Sequence, residues 1–301
     1  MARDIDHNDT RPLAELFVVA PILPAPDVAR QRVRDWLADV APSERAALVA
    51  ILDRFPRART VIESISEASP YLFDLLQADA ERAHRLLICD AERHFADLID
   101  NIASAPTVAA DEAELMRLLR RIKAEVALLI ALSDIGGVWP VMRVTAALSE
   151  FAVACVRCAV RFQLLQEAAR GRLVATDQAN PEIGSGLIVL AMGKMGAGEL
   201  NYSSDIDLIV FFERDRSSLK ADIEPQTFFV RIAQGITRLL QQRTAEGYVF
   251  RVDLRLRPDP SSTPAAVSTD FALGYYEREG RTWERAAMIK AAPCAGDRFP
   301  Q

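Results

Sequence analysis

Histidine is almost absent from this chain of 301 residues: there are three, His7, His84 and His94. Cysteine is nearly as scarce, four in all, and Cys155 and Cys158 stand at CxxC spacing inside a helical pattern, FAVACVRCAVRF, where residues i and i+3 share a face. A structural zinc site needs two further ligands at set spacings, and the histidines are all far away in sequence, so the CxxC reads as two small core residues. Cys89 and Cys294 have no partner by spacing. Excess positive charge is also lacking: 36 Lys and Arg against 42 Asp and Glu leave a net charge of -6. Broad nucleic-acid affinity and a polybasic membrane anchor both need a basic surface, so both are excluded. Long apolar runs are missing as well. Arg157 and Arg161 interrupt the one candidate for a membrane helix of about 20 residues. The early run Leu13 to Pro26 is broken by prolines, and its flank, MARDIDHNDTR, carries three aspartates where a secretory leader is basic. A cytoplasmic location follows as the expectation.

What is present is half apolar and about a quarter charged, enough for roughly two domains with real cores. From Asp27 to about Arg172 the chain reads as helix after helix, with Pro42, Pro56, Pro70 and Pro106 as punctuation and Gly136, Gly137 and Pro140 separating two longer helices. Its charged residues, including the run Arg117 to Lys123, are expected on solvated faces. The polar stretch RGRLVATDQANPEIGSG then marks a boundary, after which the period changes from helix to strand. The expected division is a helical domain over 1–172 and an α/β domain over 173–301, so the fold class is α+β.

The stretch LIVLAMGKMGAGELNYSSDIDLIVFFE, Leu187 to Glu213, organises the second domain. It predicts a strand, a glycine turn (Gly193, Gly196, Gly198), a short helix and a second strand. The strand period of two puts Asp205 and Asp207 on one face and Ile206 and Leu208 on the other. Two neighbouring carboxylates repel, and a hard divalent cation such as Mg2+ relieves them, keeping sites open for water and phosphate oxygens. The glycine turn offers backbone N–H groups and close approach to a phosphate. GKMGAG lacks the GxxxxGK[ST] of a P-loop and the GxGxxG of a dinucleotide fold.

A helix over PQTFFVRIAQGITRLLQQRT is followed by YVFRVDLRLRP, which alternates strictly. Arg251, Asp253, Arg255 and Arg257 are expected on one face of a strand and Val252, Leu254 and Leu256 on the other. Beside the Asp205–Asp207 strand, Asp253 reads as a third metal carboxylate, with the arginines aimed at phosphate oxygens. Three carboxylates on two adjacent strands next to a glycine turn suit a two-metal phosphoryl-group displacement.

Gly193-Lys194-Met195-Gly196, then Ser204-Asp205-Ile206-Asp207, then Asp253 resemble the nucleotidyltransferase fold of the polymerase-beta type. The longer strings MGKMGAGELNYSSDIDLIVFF, FRVDLRLRP and YYEREGRTWERAAMIKA closely resemble the glutamine synthetase adenylyltransferase family, across most of the chain. That family carries two such domains, and GELNYSSDID is similar to the first, which removes AMP from a tyrosine of glutamine synthetase by using phosphate to release ADP. The resemblance implies Mg2+ on Asp205, Asp207 and Asp253, the adenylyl phosphate gripped around Gly193 and Gly196 with Ser203 or Ser204, and phosphate or transferred charge met by Arg255, Arg257 and Lys194. It also implies glutamine synthetase, a PII signalling protein, adenine nucleotide and phosphate as partners. Docking of glutamine synthetase or PII without turnover is the competing implication, and small-molecule or RNA substrates a third, the last opposed by the acidic charge. Trp283, Glu284 and Arg285 are expected to open a late helix with Trp283 in the core, and Lys290 to reach the site from its far end. The family's usual KARPVAGD reads KAAPCAGD here, so Ala292 replaces an arginine and Cys294 a valine. The chain is expected to be the amino-terminal part of the bifunctional enzyme, with its second domain continuing past Gln301.

Overall fold

A computed structural model describes residues 11–175, 177 and 179–297. The acidic flank before Arg11, with His7, lies outside the described residues, as does Gln301. The chain divides into two compact units, one of residues up to 99 with 122–144, the other of 100–121 with 145–301. Segments from three of the long helices therefore belong to the second unit, ahead of the change of pattern near 172.

The first unit is helical. Its elements are α1 (Leu13–Leu16), α2 (Pro26–Asp39), α3 (Pro42–Arg54), α4 (Pro56–Ala68), α5 (Pro70–Ala78), α6 (Ala80–Ile88), the first half of α7 (Ala91–Val108) and the second half of α8 (Glu112–Ile135). Helices α2 to α5 each start with proline, whose missing N–H is no loss at a helix N-terminus and whose φ is already helical. Pro106 departs from that pattern: it lies inside α7 near its C-terminal end, where it cannot supply the usual N–H to the carbonyl four residues earlier. The apolar run from Pro70 to Ile99 falls into three helices because aspartates interrupt it, Asp79 capping α6 and Asp90 accepting from Arg93 N at the start of α7. Only the start of the early apolar run is core: Leu13, Ala14 and Phe17 are buried, Val18 N donates to Gly136 O, and the side chains of Val18, Val19 and Ile22 are exposed.

A charged triad ties α6, α7 and α8. Glu125 accepts from Arg85 Nε and Nη2 at 2.9 and 3.0 Å and lies 2.8 Å from His94 Nε2. Burial alone would raise its pKa, but the His94 and Arg85 contacts outweigh burial and bring it from 4.5 down to about 2. The folded value lies below the unfolded one, so this stability is fully present above about pH 4.5 and is lost as pH falls toward about 2, in all about 3 kcal/mol. Chemical denaturation of wild type and Glu125→Gln at stepped pH is expected to show a gap that narrows across that window. A gap constant with pH would refute the assignment.

The second unit takes in α9 (Val141–Ala169) from Thr145 onward, then β1 (Leu187–Ala191), the short α10 (Gly193–Gly196), β2 (Ile206–Phe212), α11 (Pro225–Gln241), β3 (Val252–Asp253), β4 (Ala266–Ser268), α12 (Thr269–Arg278), α13 (Thr282–Ala287), a 3-10 turn (Met288–Lys290) and β5 (Ala292–Gly296). The strand order is β3-β2-β1-β5; β1 runs antiparallel to β2 and β5, while β3 and β4 pair in parallel with successive parts of β2. Antiparallel partners share a face. Ile188, Met192, Ile209 and Phe211 form one apolar face with Val267 and Ala272, against which Tyr276 and Met288 pack. On the other, Phe212 stacks on Phe229 of α11, ring centroids 4.6 Å apart. The CxxC residues Cys155 and Cys158 are buried in α9 and form no disulfide. Among the described residues no helix is long and apolar enough to cross a membrane.

Candidate active site

The site is assembled where β2 begins. Asp207 and Asp253 stand opposite each other in the β2–β3 register, and Asp205 lies two residues earlier, just outside the strand. The period of two sets Asp207 on the same face as Ile209 and Phe211, at the end of the apolar face. The glycine turn closes over it. Met192 N donates to Asp207 O at 2.9 Å, and Gly193, at φ +55°, brings its backbone so close that a Cβ there would lie 3.2 Å from Asp207 Oδ2.

The three carboxylates are treated differently by their surroundings. Asp205 is held by Arg251 Nε, while Arg251 Nη2 donates to Ser203 O. Asp253 accepts from the Arg255 backbone N and its guanidinium, which hold its carboxyl below the usual range despite partial burial. Asp207 has no hydrogen bond or ion pair to its carboxylate among the described residues. Its pKa is raised, first by burial and then by the charges of Asp253 and Asp205. Among the described residues no group of three or more His, Cys, Asp or Glu is arranged to hold a metal ion, Arg251 and Arg255 each engaging one aspartate. The donor set nonetheless suits a hard cation: oxygen ligands only, one of them uncompensated between two like charges. Asp205, Asp207 and Asp253 are the residues that would hold it.

The expected strand over 251–257 is cut short. Only Val252 and Asp253 are extended against β2, because the Asp253 carboxylate draws in the backbone N of Arg255 and turns the chain. Arg255 stays on Asp253 with its side chain 82% exposed. Arg257 points elsewhere, donating to Leu254 O, Pro260 O and Thr263 O, so it braces the following loop. Lys194 is exposed on the turn, Ser203 is exposed, and Ser204 Oγ donates to Asn201 Oδ1. Lys290 pairs with Glu199 at 2.9 Å, and Trp283, expected in the core, is 51% exposed on α13. Ala292 pairs with Ala191, on the sheet face opposite Asp207, so the position where the family has arginine is directed away from that carboxylate. Two supports escaped the sequence reading: Arg251 as the partner of Asp205, and Gln241, whose Oε1 accepts from Val252 N and pins β3. Arg251 stands among the arginines expected to face phosphate, and Gln241 among helical residues that carry no separate signal.

Gly196 serves packing. A Cβ there would lie 2.0 Å from Lys290 O and 2.4 Å from Ala191 O, both backbone atoms that cannot swing aside. Gly196→Ala is expected to destabilise the second unit by about 1–3 kcal/mol, the usual range for overpacking. A denaturation midpoint equal to wild type would show that the turn and the 3-10 segment are not in contact.

Paired aspartates at the head of a strand, reached through a glycine turn on a small mixed sheet and following a helical region, define a nucleotidyltransferase-like domain in an α+β chain. A profile of the glutamate-ammonia ligase adenylyltransferase family matches residues 58–301, and the chain belongs to that family. A "Bifunctional glutamine synthetase adenylyltransferase/adenylyl-removing enzyme" of Bradyrhizobium sp. (strain ORS 278) is 63% identical over 95% of this chain and 29% of its own length. The proteins of the same description from Rhodopseudomonas palustris (strain HaA2) and Xanthobacter autotrophicus (strain ATCC BAA-1158 / Py2) are 62% and 51% identical over 95% and 97% of this chain. The chain thus spans about 29% of the length of these relatives.

Proposed function

We propose that this chain carries a metal-dependent nucleotidyl-transfer site that removes AMP from an adenylylated tyrosine of glutamine synthetase, within a bifunctional enzyme of nitrogen regulation in the cytoplasm. The observation that carries the reading is Asp207: a half-buried carboxylate without a hydrogen bond or ion pair among the described residues, opposite Asp253 and under the Gly193 backbone. In the proposed reaction an oxygen of inorganic phosphate forms a bond to the AMP phosphorus as the bond from that phosphorus to the tyrosine oxygen breaks. The tyrosine oxygen leaves with the electron pair and takes up a proton, so the products are ADP and unmodified tyrosine.

Asp205, Asp207 and Asp253 would hold Mg2+, which when bound neutralises charge on the transferred group. The chain's own residues do the positioning. The turn at Gly193 and Gly196, with Ser203 and Ser204, grips the adenylyl phosphate. Lys194 and the exposed Arg255 meet the incoming phosphate, and Arg255 must leave Asp253 in part to do so. Arg257 keeps the loop after β3 in place.

The test mixes the chain with adenylylated glutamine synthetase, phosphate and Mg2+ and follows ADP, beside an Asp207→Asn control. Release that disappears in the control supports the reading. A folded chain that releases no ADP yet binds glutamine synthetase or PII overturns it in favour of docking without turnover.

A further inference from the structure

The two arginines that break the apolar pattern of α9, and two of the four cysteines, take no part in the site above. They meet at the other edge of the sheet. There an open cavity of about 850 Å³ lies along β5, lined by Arg157, Arg161 and Cys158 of α9, Glu182, and Cys294 and Asp297 among others. Its polar groups are nearly all engaged. Arg161 is taken by Glu182, Asn180 and Ala179 O, and Asp297 accepts from the backbone N of Gly184 and of Gly186.

Arg157 is the exception. Its Nε donates to Cys294 O at 2.8 Å, and its Nη groups have no partner among the described residues. That single bond orients the guanidinium, because Cys294 is the extra residue of a bulge: Val189 pairs with Ala295 and Leu190 with Pro293. Pro293 and the bulge deny this edge a regular ladder, so an added strand is a poor occupant. The rest of the wall includes Ala103, Pro293 and Ala295, which suits an aliphatic body. Glu182 and Asp297 on the same wall would repel a dianion.

We infer that this cavity binds a small aliphatic monocarboxylate, its carboxylate bidentate on the Nη groups of Arg157 and its chain against Pro293 and Ala295. The inference is independent of the activity proposed at Asp207. Butyrate is the probe, and alkylation of Cys158 and Cys294, both on the wall, is the readout, with Cys89 outside the cavity as internal control. Burial pushes all three thiols up to about 12, so each is compared with its own rate in the absence of butyrate. Butyrate is expected to slow alkylation of Cys158 and Cys294 saturably while the Cys89 rate stays constant. Arg157→Gln is expected to raise the half-saturating butyrate concentration about tenfold or more, the equivalent of one lost charge-assisted pair. Should that variant misfold, the wild-type chain decides: phosphate or succinate protecting as well as butyrate, no protection at all, or a slowing shared by Cys89 each overturns the assignment.

Discussion

Asp207→Asn is expected to abolish turnover while making the metal-free protein more stable. The two effects have one cause. The Asp207 carboxylate is half-buried, lies opposite Asp253 and close to Asp205, and has no cationic or hydrogen-bonding partner among the described residues. Its folded pKa is raised above the unfolded value, so the ionised form is penalised in the folded state. The sign follows: the penalty is absent at low pH, appears as pH rises through the unfolded value, and is fully present above the folded one. Asparagine keeps the shape and removes the charge. Without Mg2+ at neutral pH the variant should therefore melt higher than wild type, and the difference should vanish in acid.

Activity moves the other way. An amide in place of the ionised oxygen weakens a hard-cation site and removes its uncompensated charge, and a loss of about 10³-fold or more in ADP release is expected, comparable to losing one strong transition-state electrostatic contact. Titrating Mg2+ into both proteins joins the two halves: wild type should gain melting temperature with the ion and Asp207→Asn should gain little. A variant that is less stable than wild type without metal, or that keeps its response to Mg2+, would show that Asp207 has a protein partner and not a ligand.

The legibility of this site in the sequence depends on the range of the interactions. Strand, glycine turn and strand were readable from Leu187 to Glu213 because apolar runs and glycines act locally. The juxtaposition of Asp207 and Asp253 was readable because alternation reached Asp253. It failed one residue later, where a carboxylate bonded to the backbone of Arg255 and overrode the alternating pattern. Strand β5 was hidden by Pro293 and its bulge, and β4 by its three-residue length. The side chains of the Arg117 to Lys123 run looked equivalent, all charged on a helix and expected in solvent. Arg120 is instead buried, at 2% exposure, and besides Met116 O its partners are carbonyls more than a hundred residues away, which no local pattern reveals.

Arg120→Met is accordingly the substitution expected to cost the most stability. Arg120 donates to Gly247 O at 2.9 Å through Nε, and its Nη groups reach Met116 O, Leu239 O and Gln242 O. Leu239 belongs to the last turn of α11, whose final carbonyls have no partner within the helix, and Gln242 is its C-cap. A cation there also matches the negative end of the helix dipole. No carboxylate forms an ion pair with Arg120 among the described residues; burial lowers its pKa, the more distant charge of Glu246 opposes this in part, and the carbonyls supply the direct contacts. Methionine fills much of the volume but leaves two or three buried carbonyls unsatisfied, at about 1–3 kcal/mol each, for a total of about 3–5 kcal/mol. Thermal melts should drop by on the order of 10 °C. The damage should also reach the site. The segment held by Arg120 through Gln242 and Gly247 leads into β3, and Gln241 pins Val252 beside Asp253. Any Arg120→Met protein that remains folded should therefore show weaker Mg2+ binding, and Arg120→Lys should recover part of the stability with its single ammonium. Equal stability of Arg120→Met and wild type would mean that water reaches those carbonyls, and that the α11–β3 segment is held by something other than Arg120.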